Sequence, residues 1–296
     1  MKIAVVGKSG QVAQSLYQAF EQLNYDVQFI GRSQLDLACV DHIMPVLDAL
    51  APSVLINSAA FTAVDLAEEQ QGLAHLVNAQ APIAMAQWCS KNDCRMVHIS
   101  TDYVFDGANK LAYTETDTPS PINAYGATKL AGEMGVSDAL PEALILRCSW
   151  VHSPYGRNFA KTMLQLADSR SELNIVDDQM GCPTSAQDLA DLIVTSLPQI
   201  VDGELTGLVH AAASGNASWA DLAQEIFHQS TLRGLLSSSI TVNRISSSEY
   251  PQKARRPKNS VLDCAKLRSI GLALPGWRLG VARTLTNLKI AKVSAL

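Results

Sequence analysis

Residues 2–13 restrict the architecture before any other segment is considered. Lys2-Ile-Ala-Val-Val6 is a short apolar run, and Gly7-Lys-Ser-Gly10-Gln-Val-Ala13 follows it without a spacer. Val12, Leu16, Phe20 and Leu23 then recur at helical spacing, so the segment reads as buried strand, glycine turn and amphipathic helix. Such a unit can cradle a dinucleotide, because glycine lets the backbone approach a pyrophosphate and the helix start offers unpaired amides with partial positive charge. Gly7, Ser9, Gly10, Gln11 and Val12 are the predicted contacts. The spacing is G-x-x-G-x-x-A instead of G-x-G-x-x-G, with Ala13 still small enough for close packing of helix on strand.

The alternation continues down the chain. Val27–Ile30, Ser53–Asn57, Arg95–Ser100 and Ala143–Arg147 read as further strands with helical runs between them. The predicted fold class is therefore α/β: a Rossmann-type doubly wound parallel sheet with a smaller C-terminal α/β substrate-binding lobe. Ligands in such folds sit beyond the carboxyl ends of the strands, here Gly7, Gly31-Arg32, Asn57 to Thr62, Ser100-Thr101 and Ser149-Trp150. Residues 1–150 are the predicted dinucleotide-binding domain, with 172–200 returning to it; 151–171 and 201–296 form the smaller lobe. Within that lobe Leu208–Ala211 and Ile240–Ile245 read as strands, and Ser218-Trp-Ala-Asp221 as the capped start of a helix reaching Gln229.

Composition narrows the function classes. With 47% hydrophobic residues in 296, the chain can bury a large core, and a net charge of −5 without a basic stripe argues against a nucleic-acid partner. No apolar run approaches the roughly 20 residues of a membrane span. The run after Met1-Lys2 ends at Gly7, too soon for a secretory signal, so a cytoplasmic protein is expected. The cysteines at 39, 89, 94, 148, 182 and 264 form no C-x-x-C pair and are expected to be reduced core thiols, neither a disulfide framework nor a zinc site.

Tyr125-Gly-Ala-Thr-Lys129 carries the chemistry. A tyrosine and a lysine one helical turn apart share a face, so an ammonium can stabilise the phenolate while both address one ligand. Bringing tyrosine from about 10 to near 7 requires roughly 4 kcal/mol of preferential stabilisation of the anion. The same spacing also suits a solvated helix face. At the end of the second strand, where an acidic residue would bind a ribose 2′-hydroxyl and repel a 2′-phosphate, the chain has Gly31-Arg32-Ser33. That favours NADPH, with NADH possible. Asp36 and Leu37 are placed for the adenine edge, although Asp36 also suits a helix cap and Arg32 a solvated surface.

Gly7-Lys-Ser-Gly-Gln-Val12, Asn57-Ser-Ala-Ala-Phe-Thr-Ala-Val-Asp-Leu-Ala-Glu68, Ser100-Thr-Asp-Tyr-Val-Phe-Asp-Gly107, Tyr125-Gly-Ala-Thr-Lys-Leu-Ala-Gly-Glu133, Arg147-Cys-Ser-Trp-Val151, Asp178-Gln-Met-Gly-Cys-Pro-Thr184 and Arg256-Pro-Lys-Asn-Ser260 occur in this order. Together they resemble the dTDP-4-dehydrorhamnose reductase family, a group of extended short-chain dehydrogenases/reductases. The resemblance implies that Tyr125 gives a proton to the sugar C4 carbonyl oxygen as hydride arrives from the nicotinamide. It implies that Lys129 holds the nicotinamide ribose and lowers the Tyr125 pKa, and that Thr101 hydrogen-bonds the same carbonyl oxygen. Ala59, Ala60, Thr62 and Ser100 would lie along the cofactor. Thr62, Val104, Trp150, Asn158 and Arg256 would face the substrate, Arg256 as part of the basic run Lys253–Lys258 suited to a nucleotide diphosphate, with Gln179 a further hydroxyl partner.

The implied substrate is a dTDP-linked 4-keto-6-deoxysugar and the implied product dTDP-L-rhamnose, handled by a monomer or homodimer. Some members hold a divalent metal between subunits through acidic residues. The corresponding positions here are Ser15, Gln187 and Asn287, none a carboxylate, so no metal is expected. Alternatives are a reductase or epimerase of another nucleotide-linked 4-keto deoxysugar, or a non-catalytic dinucleotide-binding regulatory subunit. A dehydratase would carry glutamate where this chain has Tyr103.

Overall fold

The computed structural model describes residues 1–21, 23–237 and 239–294. Strand β1 (Lys2–Val6) leads through Gly7 into α1 (Gln11–Phe20), followed by β2 (Asp26–Ile30), α2 (Ile43–Leu50) and β3 (Val54–Asn57). Next come α3 (Val64–Glu69), α4 (Gln71–His75), a π-helical turn at Leu76–Gln80, α5 (Ala81–Lys91), β4 (Arg95–Thr101), α6 (Ala124–Ala139) and β5 (Leu144–Cys148). Beyond them lie β6 (Val151–His152), α7 (Phe159–Ala167), β7 (Glu172–Val176), β8 (Met180–Gly181), β9 (Thr184–Ser185), α8 (Ala186–Thr195), α9 (Leu197–Val201) and β10 (Gly207–His210). The chain closes with β11 (Ala217–Ser218), α10 (Trp219–Leu232), β12 (Thr241–Ile245), α11 (Ala265–Ser269) and α12 (Trp277–Ser294).

Six strands in the order β2-β1-β3-β4-β5-β10 form one parallel sheet. Its central strands β1, β3, β4 and β5 are largely buried because helices cover both faces. Ile3, Val5, Val54, Ile56, Val97, Leu144 and Leu146 enter one core with Leu16 and Leu189, whereas Ala4, Val6, Leu55, Met96 and Ile145 enter the other with Met85 and Trp88. From β1 the chain moves outward to β2, and after β3 it moves the opposite way. The reversal opens a crevice over the carboxyl ends of β1 and β3, the switch point where such folds bind ligands.

A third core, built from Met163, Leu173, Ile226, Trp277 and Leu285, belongs to a smaller layer in which α7, α10 and α12 pack with the parallel pair β7–β12. Ser218 and Asp221 close a capping box at the start of α10. Two expected boundaries need correction. β10 falls within 201–296, yet it pairs with β5 as the sixth strand of the large sheet, where buried Val209 extends the first core. Within 172–200, α8 packs on α1 against that sheet, but β7 pairs with β12 in the smaller layer.

Candidate active site

Helix α6 is drawn unusually close to its neighbours. A Cβ at Gly126 would lie 2.1 Å from the Tyr103 carbonyl oxygen, and one at Gly132 2.1 Å from that of Asn78. The helix start is fixed as well: Asn123 Oδ1 accepts from the Gly126 amide at 2.7 Å, and the Glu68 carboxylate accepts from the Ala124 amide at 2.8 Å. Tyr125 and Lys129 thereby line a cleft of about 830 Å³ together with Thr101 at the end of β4. The three residues expected to act on one ligand are thus brought together.

The Thr101 hydroxyl accepts from the Tyr103 amide at 3.2 Å and donates to Asp102 Oδ1 at 3.1 Å. Ser149 Oγ donates to the other oxygen, Oδ2, at 2.8 Å. Burial pushes the Asp102 carboxyl up to about 6 despite hydrogen bonds from Ser260, Ser149 and Thr101. Tyr103 and Tyr125 meet edge to face at 5.9 Å. Burial also raises Tyr125 above the ordinary tyrosine value, with the Thr101 side chain acting in the opposite direction. Burial brings Lys129 itself down to about 8, against the Glu133 carboxylate and Cys148, which favour its charged form. Lys129 Nζ donates to the Ile99 carbonyl at 2.7 Å and lies 3.3 Å from His98 Nε2.

At the other end of the cleft the glycine turn fits a pyrophosphate. Gly7 has φ of +117°, and a Cβ there would lie 2.7 Å from Ser58 Oγ, so only glycine makes this turn without strain. Gly10 is different: a Cβ there would meet no described atom within 4 Å, which leaves open space at the start of α1. No described side chain caps that helix, so its first amides face the cleft unpaired. Ser9, Gln11, Val12, Ala59, Ala60, Thr62 and Ser100 all line the same cleft. Beyond β2, Arg32 pairs with Asp36 at 3.1 Å and Asp36 Oδ1 accepts from the Ala38 amide at 3.1 Å; Leu37 is buried beside them. Backbone hydrogen bonding from Ala38, with the Arg32 cation, holds the half-buried Asp36 carboxyl below its ordinary value.

The far wall is aromatic. Trp150, at φ of +46°, stacks on Trp219 with ring centroids 3.5 Å apart and planes 4° from parallel; Phe159 packs beside Trp219. Gly181 makes room, because a Cβ there would lie 2.3 Å from Trp150. Trp150 Nε1 is buried with no partner among the described residues, while Trp219 Nε1 donates to Gln179 Oε1 at 3.2 Å.

Of the expected substrate contacts, Val104 and Arg256 lie outside the cleft lining, and Asn158 lies within it. Val104 is fully buried in the core beside Phe105 and does not line the cleft, because the one-turn helix at Asp102–Val104 rotates it inward. Arg256 stands outside the cleft lining and forms a two-pronged ion pair with Asp65, both contacts at 2.8 Å. Asn158 does line the cleft, but its amide caps α7 by accepting from the Lys161 amide and donates to the Ser153 and Tyr155 carbonyls. Gln179 likewise spends its carbonyl on Trp219. Conversely, Lys8, Phe61, Tyr103, Arg157 and Trp219 line the cleft without having been singled out. Lys8 was legible as a cation inside the glycine turn, and its chain lies against Gly31. Trp219 was hidden as the first residue of a capped helix.

Ser15 and Gln187 are buried between α1 and α8, where Gln187 Nε2 donates to the Ser15 carbonyl at 3.3 Å and to Asp191 Oδ1 at 2.9 Å; Asn287 lies on α12. Among the described residues no cluster of histidine, cysteine or acidic side chains could hold a metal ion, and no helix is long and apolar enough to cross a membrane.

A glycine-turn cleft at the switch point of a doubly wound sheet, with tyrosine and lysine on one helix behind it, defines an extended short-chain dehydrogenase/reductase. The model of the RmlD substrate binding domain family matches residues 1–290, and the chain belongs to that family. It is 42% identical to the dTDP-4-dehydrorhamnose reductase of Sinorhizobium fredii over 96% of each chain. Among solved structures it resembles the dTDP-4-dehydrorhamnose reductase of Clostridium acetobutylicum, with a TM-score of 0.90, 35% identity, and 98% of this chain and 100% of that one covered. The Bacillus anthracis reductase, crystallised with NADP, gives a TM-score of 0.87 at 33% identity, covering 97% of this chain and 100% of the other.

Proposed function

We propose that this protein is an NADPH-dependent dTDP-4-dehydrorhamnose reductase that converts dTDP-4-dehydro-6-deoxy-L-mannose to dTDP-L-rhamnose. The observation that carries the reading is the convergence of Thr101, Tyr125 and Lys129 in the one cleft that runs from the uncapped start of α1 to the stacked tryptophans. NADPH, when bound, supplies the hydride. The remaining work falls to side chains of this chain. Tyr125 Oη gives its proton to the ketone oxygen, and the Thr101 hydroxyl hydrogen-bonds that oxygen as negative charge develops on it. Asp102 Oδ1 accepts the Thr101 hydrogen in this structure, and the hydroxyl turns that hydrogen to the ketone oxygen when the oxygen is beside it.

The cradle suits the phosphorylated dinucleotide. Lys8 and Arg32 both line the cleft at the end of β2, where a 2′-phosphate would be met by cations. Trp150 and Trp219 offer flat apolar faces to a deoxysugar, and Arg157 supplies a charge on the same wall. The chain fits a protein active as monomer or homodimer in the cytoplasm, without nucleic-acid or membrane partners. The test follows NADPH absorbance with the 4-keto sugar nucleotide, comparing wild type with Tyr125→Phe. Wild type is expected to consume NADPH and the variant to lose at least a hundredfold in kcat, in line with the roughly 10²–10⁴-fold typical of a positioned acid. Equal turnover would refute the acid assignment; no turnover by wild type would refute the substrate.

A further inference from the structure

Behind the cleft a buried chain of three side chains ends on Lys129. Asn57 closes β3, His98 lies in the middle of β4 and Lys129 reaches them from α6; all three are essentially inaccessible to solvent. Asn57 Nδ2 lies 3.1 Å from His98 Nδ1, and His98 Nε2 lies 3.3 Å from Lys129 Nζ. The Asn57 orientation is set independently, because its Oδ1 accepts from the Ala59 amide at 3.3 Å. Turning the amide over would face two donors at that contact.

The hydrogen-bond inventory then leaves one assignment. Asn57 Nδ2 can only donate, so His98 Nδ1 must accept, and a neutral imidazole with an accepting Nδ1 carries its hydrogen on Nε2. A lysine ammonium has no lone pair, so an ammonium at Nζ would set donor against donor. An amine resolves the conflict by accepting from Nε2–H while giving one of its own hydrogens to the Ile99 carbonyl at 2.7 Å. We infer that His98, oriented by Asn57, is a positioning residue that donates from Nε2 to the amine form of Lys129 and so favours loss of the lysine proton.

The charged and titratable groups around the pair agree with this assignment. Glu133, one turn further along α6, favours the ammonium, but both its oxygens are engaged by Arg147 of β5 in contacts of 2.7 to 3.1 Å. Cys148 on β5 is a buried thiol pushed up to about 12, so it is neutral. Tyr125 is raised on the same helix face, and burial holds His98 well below its ordinary value, so the imidazole is neutral. The consequence rests on the proposed reductase reading. After Tyr125 Oη has given its proton to the ketone oxygen, the phenolate regains one from the Lys129 ammonium. The resulting amine is then held by His98 until it takes a proton from water. A lysine left at its ordinary value would lose that proton far less readily.

The test uses the cofactor-free full chain. In wild type, nitrogen-15 NMR of His98 is expected to show a protonated Nε2 and an unprotonated Nδ1; the opposite tautomer would overturn the proposal. With carbon-13 at lysine Cε, and the Lys129 signal assigned by its absence in Lys129→Met, the titration midpoint is expected to rise by about one pH unit in His98→Phe, as loss of one hydrogen bond to the amine implies. His98→Gln, which keeps a donor within reach, is expected to stay near wild type. An unchanged or lower midpoint in His98→Phe would also overturn the inference. Neither readout needs turnover, so the expected tautomer in a protein inactive on the ketose would count against the proposed substrate alone.

Discussion

Replacing Asp102 with asparagine should change how stability depends on pH, and the size of the change follows from the site. The Asp102 side chain is buried, and its carboxyl titrates near 6 in the folded protein against an ordinary 3.8. Because the folded value lies above the unfolded one, the native state binds more protons between these limits, so this group's contribution falls as pH rises from about 4 through 6. A separation of about two pH units at about 1.4 kcal/mol each amounts to roughly 3 kcal/mol lost between pH 4 and pH 8. Asp65 and Asp178, whose carboxyls are held low by Arg256 and by Ser247 respectively against the effect of burial, act with the opposite sign; they are present in both proteins and cancel in the comparison. The assay is urea unfolding of wild type and Asp102→Asn at pH 4.5 and pH 8. The variant is expected to gain on wild type by about 2–3 kcal/mol between the two conditions, whatever its absolute stability. An identical pH dependence in the two proteins would show that Asp102 is solvated and would remove the argument that a buried Asp102 carboxyl accepts from Thr101.

The two glycines of the turn should separate folding from binding. Gly7→Ala, forced against Ser58 at positive φ, should lose about 1–3 kcal/mol in urea unfolding, whereas Gly10→Ala should unfold like wild type yet bind NADPH more weakly by fluorescence titration. Glu133→Gln leaves the buried Arg147 guanidinium without its carboxylate and should cost about 3–5 kcal/mol, of which Glu133→Gln with Arg147→Met should recover part. Lys8→Ala and Arg32→Ala should each raise the Kd for NADPH roughly tenfold and leave NADH binding unchanged, the signature of a lost 2′-phosphate contact.

Much of the architecture could be read directly because both local periodicity and burial pointed the same way. Five parallel strands were evident as apolar runs, since a sheet covered on both faces must be apolar at consecutive positions. The sixth, Gly207–His210, looked like any short strand; only pairing with β5 assigns it to the large sheet. The site divides similarly. Tyr125, Lys129 and the glycine turn were visible because a single helix turn and a strand end place them by local geometry, whereas Thr101 was singled out through the family resemblance. Arg256 was misplaced because charge density in Lys253–Lys258 does not reveal Asp65, far away in sequence, as its partner. Val104 was misplaced because one helical turn after Thr101 decides which neighbour faces the cleft.

Asn57 and His98 show the deeper limit. Each is a buried polar residue next to apolar ones in its strand, and what each does depends on hydrogen-bond roles that two strands and a helix settle jointly. Once the Ala59 amide fixes the asparagine, the asparagine fixes the histidine and the histidine constrains the lysine. In the proposed arrangement a backbone turn on a neighbouring strand thereby bears on how readily Lys129 gives up its proton. A motif that names Tyr125 and Lys129 therefore identifies which groups act, while the strands packed behind α6 bear on how readily one of them exchanges its proton.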